Sequence, residues 1–193
     1  NFVAKNLPNS FSVLAVTEQN NMFFAPDTYM EKIAIGPNLP KNLIDLDNSV
    51  EKNISLLAEA KETDPSKLTV CILDRPRHEQ IITSLKKMNV NLKLISDGDV
   101  SGIIYIVDNN SPVDMYMGIG GGPEGVLAAA ALSCYGGQIQ TRLVLDEKES
   151  IRAKKMGISD LNKKYNIDDM IKGDVIFCAT AITNGDIAEG IKE

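Results

Sequence analysis

The sequence predicts an α/β protein built on a largely parallel or mixed sheet, and three observations predict it. Short apolar runs rich in β-branched residues recur along the chain: FSVLAV, KLTVCIL, NLKLIS, VDMYMGI, QTRLVL and DVIFCATAI. Segments with apolar residues at helical spacing lie between them, and strand and helix alternate at βαβ length. A chain of 193 residues, 44% hydrophobic and 24% charged, is long enough to bury a core and has the composition of an ordinary globular protein.

FSVLAV (11–16) reads as the first strand. MFFAPDTYMEKIAIG (22–36) alternates enough to continue the sheet across turns at Asn20-Asn21 and Ala25-Pro26. Asp47, Asn48 and Ser49 offer caps for a helix to about Ala60, with Val50, Ile54 and Leu57 on one face. KLTVCIL (67–73) is a buried strand, EQIITSLKKM (79–88) an amphipathic helix, and NLKLIS (91–96) a further strand. DVSGIIYIV fits either a short helix or a strand. VDMYMGI (113–119) runs into a glycine turn, followed by a helix from Pro123 to about Tyr135. A strand at 140–145, a polar helix at 147–156, a short helix near 167–171 and a strand at 174–182 complete the pattern.

Composition excludes several classes of function. No apolar run reaches the roughly 18 residues that a spanning helix needs, and NFVAKNLPNSF lacks a signal-peptide pattern. With 20 basic and 26 acidic residues the net charge is −6, and no basic cluster interleaves with aromatics, so nucleic acid and anionic membrane are not expected partners. Cys71, Cys134 and Cys178 each sit in an apolar run and are expected to be buried free thiols, which implies a reducing, cytoplasmic compartment. The chain opens without Met and reaches a strand almost at once, so it reads as a fragment.

In such sheets ligands bind beyond the carboxyl ends of the strands, and three turns fall there: DRPRH, SDGD and GIGGGPEG. Gly120, Gly121 and Gly122 remove every Cβ, so backbone N–H groups can approach a ligand, and Pro123 suits the first helical position. A helix N-terminus favours phosphate, but Glu124 in its first turn repels one unless a divalent cation lies between. The plainer reading is that Glu124 complements the helix dipole. The spacing is neither G-x-G-x-x-G nor a P-loop. Arg75 and Arg77 flank Pro76 on a stiff loop and make a fork for phosphate oxygens, or else face solvent. Asp97 and Asp99 around Gly98 suit an Asx turn and an N-cap, or the hydroxyls of a sugar. Tyr29 suits rim packing, and His78, the sole histidine, reads as a bystander; one histidine builds no nucleophilic triad.

Taken together, APDTYMEKIAIGP, LTVCILDRPRH, SDGDVSG, GIGGGPEGVLAAAAL, GGQIQTRLV and FCATAITNGD, in this order, resemble the class II fructose-1,6-bisphosphatases, bacterial relatives of the lithium-sensitive, metal-dependent phosphatases. The resemblance runs from Phe11 to Gly190. It implies a layered sugar-phosphatase fold with mixed or parallel sheets and helices between. It also implies hydrolysis of the 1-phosphate of fructose 1,6-bisphosphate with Mg²⁺ or Mn²⁺, in a cytoplasmic homo-oligomer, dimer or tetramer. By the same resemblance Glu124 is a metal ligand, Gly121 contacts substrate through its backbone, and Tyr29, Arg75, Pro76, Arg77, Asp97, Gly98 and Asp99 bind substrate. The first position of the Arg75-Pro76-Arg77 segment is Lys in some relatives.

The departures matter equally. The family's early aspartate, its G-E-G-E segment and its D-P-[IL]-E-G-T motif do not occur here, and Asn1 aligns just after the last of them. The chain therefore resembles the C-terminal half of the enzyme: residues 1–36 as the end of a metal-binding sheet region, residues 37–193 as an α/β substrate-binding domain, and catalytic residues upstream of Asn1. Alone it is expected to be inactive, since each hard cation takes about six oxygen ligands. Two alternatives stand beside this reading: a dual fructose-1,6-/sedoheptulose-1,7-bisphosphatase, and a non-catalytic sugar-phosphate-binding module.

Overall fold

A computed structural model describes residue 5 and residues 7–192; Asn1, and with it the join to an upstream motif, lies outside the described residues. The strands are β1 (Phe11–Thr17), β2 (Tyr29–Ile35), β3 (Thr69–Leu73), β4 (Asn91–Ile95), β5 (Met115–Gly121), β6 (Gln138–Val144), β7 (Lys164–Tyr165) and β8 (Val175–Ala181). The helices are α1 (Val50–Ala60), α2 (Glu79–Lys87), α3 (Asp99–Val107), α4 (Gly122–Tyr135), α5 (Glu147–Lys155) and α6 (Ile167–Met170). Six strands form one mixed sheet in the order β4-β3-β5-β2-β6-β7, and β1 pairs with β8 in a separate antiparallel ribbon.

Period-2 alternation sorts the side chains of the large sheet into two cores. Ile33 and Ile35 of β2, Val70 of β3 and Met115 and Met117 of β5 face α1 and α2, against Ile54, Leu57 and Leu85. Met30 and Ala34 of β2, Cys71 of β3 and Tyr116 of β5 face the opposite way, against Ile103 of α3 and Val126, Ala129 and Leu132 of α4. Ala15 of β1 and Val175 and Phe177 of β8 cover that second core from outside. The layers therefore run α1/α2, six-stranded sheet, α3/α4, two-stranded ribbon. This is the α/β architecture the sequence predicts, with mixed sheets and helices between them.

Local chemistry explains the element ends. Ser49 caps α1, its side chain accepting from the Lys52 N–H, and Asp146 with Glu149 forms a capping box on α5. Gly136 ends α4 in the left-handed conformation at φ 77°. DVSGIIYIV resolves as the helix α3, because Asp99 opens it directly after Gly98 at φ 81°.

Three expectations are corrected. The sheet does not begin at Met22: that residue makes only an isolated bridge to Ile171, and the Pro26 turn delays β2 to Tyr29. The glycines are not a turn between a strand ending at Ile119 and a helix starting at Pro123: β5 continues through Gly121, paired with Tyr29, and α4 starts at Gly122. Cys71 is buried, but Cys134 and Cys178 are exposed, Cys178 on the outer face of the ribbon and Cys134 near the end of α4.

Candidate active site at the carboxyl edge of the sheet

Strand direction assembles the candidate site. β3 runs parallel to β4 and to β5, so the segments leaving their carboxyl ends, 74–78, 96–99 and 119–124, meet along one edge. β2 is antiparallel to β5 and brings its first residue, Tyr29, to the same edge opposite Gly121. All nine residues singled out in the sequence lie there.

They form two linked groups. In the first, the exposed Arg77 lies over the ring of Tyr29, with its guanidinium carbon 4.9 Å from the ring centroid. Its Nε and Nη2 both donate to the Ile119 carbonyl, at 3.0 and 2.7 Å. Pro76 opens a short 3-10 turn, Pro76–His78, that fixes this approach. In the second group, Asp97, Gly98, Asp99 and Glu124 line an open groove of about 790 Å³, whose far wall includes Lys93, Tyr105 and Asp186. Arg75 joins the groups, with Nη2 3.9 Å from Asp97 Oδ1 while Nη1 donates to the Asp74 carbonyl. The expected pair of arginines is therefore not a free fork. One edge of Arg77 is spent on the sheet, and Arg75 leans toward a carboxylate.

The aspartates take different parts from those an Asx turn and an N-cap would give. Asp97 is exposed and accepts from the Gly98 N–H, but the N-cap of α3 is Gly98 itself. Asp99 is buried and pairs with Lys32, Nζ to Oδ2 at 2.5 Å. Lys32 is the residue that sequence reasoning missed. It sits on β2 between Met30 and Ala34, its side chain is 0% exposed, and its Nζ also donates to the Gly121 carbonyl at 2.8 Å. Burial pulls its pKa below the usual lysine value, and the charges of Asp99 and Glu124 oppose that pull. A lysine on the apolar face of a strand was the available signal; its partner, 67 residues away, was not readable.

The glycines owe their identity to this pair. A side chain at Gly120 would strike the Asp99 carboxylate, and one at Gly125 would strike Met30 Sδ and lie 2.9 Å from Lys32 Cε. At Gly121 it would collide with Glu124, whose carboxylate folds back over the start of its own helix. The bare strand end thus makes room first for the protein's own charged side chains. Glu124 is exposed, α4 has no side-chain cap, and the Gly122 N–H is taken by the Thr28 carbonyl at 2.7 Å. Among the described residues no group of three or more His, Cys, Asp or Glu side chains can hold a metal ion, so Glu124 offers one carboxylate and not a complete shell.

His78 is no bystander. Its ring is fully buried, Nε2 accepts from the Ile119 N–H at 2.8 Å, and Nδ1, left as the protonated nitrogen, donates to the Leu73 carbonyl at 2.7 Å. Burial lowers its pKa, and the neighbouring Arg77 and Arg75 charges lower it further.

The whole chain, residues 1–193, matches the family described as bacterial fructose-1,6-bisphosphatase, glpX-encoded. The chain belongs to this family. Among its relatives are three proteins named D-fructose 1,6-bisphosphatase class 2/sedoheptulose 1,7-bisphosphatase. The one from Synechococcus sp. (strain JA-3-3Ab) is 37% identical over 206 residues, covering 100% of this chain and 59% of the relative. Those from Trichodesmium erythraeum (strain IMS101) and Crocosphaera subtropica (strain ATCC 51142 / BH68) are each 36% identical with the same coverage. The chain thus spans about three fifths of the length of these fructose-1,6-bisphosphatase relatives. Among the described residues no helix is long and apolar enough to cross a membrane.

Proposed function

We propose that this chain carries the substrate-binding part of a class II fructose-1,6-bisphosphatase, which hydrolyses the 1-phosphate of fructose 1,6-bisphosphate to fructose 6-phosphate and phosphate. The observation that carries the reading is the meeting of Tyr29, Arg75, Arg77, Asp97, Asp99, Gly121 and Glu124 at one sheet edge, in a chain that matches the family over its whole length. Arg77, fixed by Ile119 and Tyr29, binds a phosphate through Nη1, which has no acceptor among the described residues. Asp97 and Asp99 accept from sugar hydroxyls at the groove, Asp99 through the oxygen that Lys32 does not hold. Pro76 and Gly98 shape the two binding turns, and the backbone of Gly121 faces the ligand. Glu124 contributes one oxygen ligand to Mg²⁺ or Mn²⁺, whose chemistry when bound is to neutralise the phosphoryl group and activate water. The remaining ligands would come from outside the described residues.

The same proposal includes a cytoplasmic location, a homo-oligomeric state and a division near residue 36. A second reading, action on sedoheptulose 1,7-bisphosphate as well, is supported by the relatives' names. The test is phosphate release by the full-length protein from both bisphosphates, with and without Mn²⁺ or Mg²⁺. Release only with metal, and lost in the Glu124→Gln variant, is expected. Release that ignores both metal and Glu124 would refute the assignment.

A further inference from the structure

β3 and β5 are paired only at Val70 with Met115 and at Cys71 with Tyr116. Beyond Cys71 the two strands have no shared ladder, although β3 continues to Leu73 and β5 to Gly121. Parallel strands that part at their carboxyl ends open the crevice in which α/β proteins bind ligands. Something must set the width of that crevice, and His78 occupies it. Its ring donates to the Leu73 carbonyl, the last residue of β3, and accepts from the Ile119 N–H on β5. Gly118, at φ 149°, leaves the ring its space, since a side chain there would come within 3.2 Å of His78 Cε1 and Nε2. Arg77, the residue before His78, donates twice to the carbonyl of that same residue, Ile119. Adjacent residues of one short turn therefore hold both the N–H and the C=O of Ile119.

From this geometry we infer that His78 is a positioning residue for anion recognition: it sets the gap between the ends of β3 and β5 and thereby the place at which Arg77 is held. The inference rests on the proposed reading of Arg77 as a phosphate-binding side chain. His78 does not touch the ligand; it acts through Ile119. Only a neutral ring with Nδ1 protonated makes both bonds, and a side-chain amide, with one donor and one acceptor, replaces it chemically, whereas leucine fills the space and makes neither bond.

The experiment is calorimetric titration of the full-length protein, in the cold and with Mn²⁺ present, using fructose 6-phosphate as probe. Arg77→Ala is expected to weaken binding by roughly 10- to 100-fold, the value of a charge-assisted hydrogen bond. His78→Leu should weaken it by a similar factor, His78→Gln should restore most of the affinity, and Arg77→Ala with His78→Leu should bind no worse than Arg77→Ala alone. That non-additivity is what a merely structural histidine would not give. If Arg77→Ala weakens binding while His78→Leu binds as the unmodified protein does, or if the two losses multiply, the positioning role is overturned and the phosphate site stands. If the unmodified protein binds no sugar phosphate, or Arg77→Ala leaves affinity unchanged, the reading of Arg77 falls and the role of His78 falls with it.

Discussion

Lys32→Met in the full-length protein tests the charge arrangement beneath the candidate site. The substitution keeps the aliphatic stem that packs under Gly125 and removes the ammonium. Asp99, with a side chain 9% exposed, then loses the one cation it pairs with among the described residues, and the Gly121 carbonyl loses a donor at 2.8 Å. Removing one partner of a buried ion pair costs about 3–5 kcal/mol, because the other charge stays desolvated and unpaired. Stability read from denaturant unfolding should fall by that amount, with a matching drop in the thermal midpoint. The double variant Lys32→Met/Asp99→Asn removes the unpaired charge as well, and should recover most of the loss. It should stay about 1–3 kcal/mol below the parent, because the Gly121 carbonyl still lacks its donor. In Asp99→Asn alone, the lysine keeps a depressed pKa without its counter-charge, so between that folded value and the unfolded value of about 10.4 the folded state binds fewer protons than the unfolded chain. Stability of that variant should therefore rise as pH is raised through that window toward about 10. A Lys32→Met loss under about 1 kcal/mol, or additive losses in the double variant, would show that the pair is not the buried, mutually compensating one described.

His78 gives a pH signature. Its folded-state pKa lies below the unfolded value of about 6.5, so stability is complete above that pH and is lost as pH falls below it, by at most about 1.4 kcal/mol per unit. As the sole histidine of these 193 residues it should supply most of the slope that this chain contributes between pH 6.5 and 5.5, and His78→Gln should flatten the slope there. Glu124→Gln should raise the Mn²⁺ concentration needed for phosphate release and lower activity by orders of magnitude, with Tm unchanged; an unaltered metal requirement would leave Glu124 as a helix-dipole residue only. Residues 1–193 expressed alone should release no phosphate at any Mn²⁺ or Mg²⁺ concentration, and turnover by that chain would disprove the need for further ligands. The same chain should bind a hydrophobic dye and self-associate, because Leu14, Val16 and Ile176 are 51, 53 and 64% exposed on the outer face of the β1/β8 ribbon. Leu14→Lys with Ile176→Lys should reduce both effects.

The large sheet was legible because its strands are short β-branched runs between helical periods, and the carboxyl-edge turns followed from strand direction alone. Segment 22–28 was misjudged because Met22, Phe23 and Phe24 alternate with nothing: Phe23 stacks on Tyr165 at 4.6 Å, while Phe24 is 81% exposed. Cys178 lies in an apolar run, yet such a run on a two-stranded ribbon has one face without a covering layer among the described residues, while Cys134 is exposed in the last turn of α4. Gly120, Gly121 and Gly122 were visible as missing side chains, but what fills the space at Gly120 and Gly122, the Asp99 carboxylate and the Pro26 and Thr28 carbonyls, depends on contacts across distant segments. His78 looked idle because its partners are backbone atoms of Leu73 and Ile119, which leave no mark in the sequence.

The pairing of charges bears on what the site can hold. Of the charged side chains at the site, Asp99 is neutralised by Lys32 in the buried layer, Asp97 faces Arg75 at 3.9 Å, and Lys93 pairs with Asp186 at 2.9 Å. That leaves Arg77 and Glu124, which make no ion pair among the described residues and carry opposite signs. A phosphate alone meets Arg77 but is repelled by Glu124, and a cation alone meets Glu124 but is repelled by Arg77. A phosphate already bridged to a divalent cation satisfies both at once. On the proposed reading, the exposed glutamate in the first turn of α4 would then be no obstacle to a phosphate site, since a metal that neutralised it would be the one that the phosphate brought.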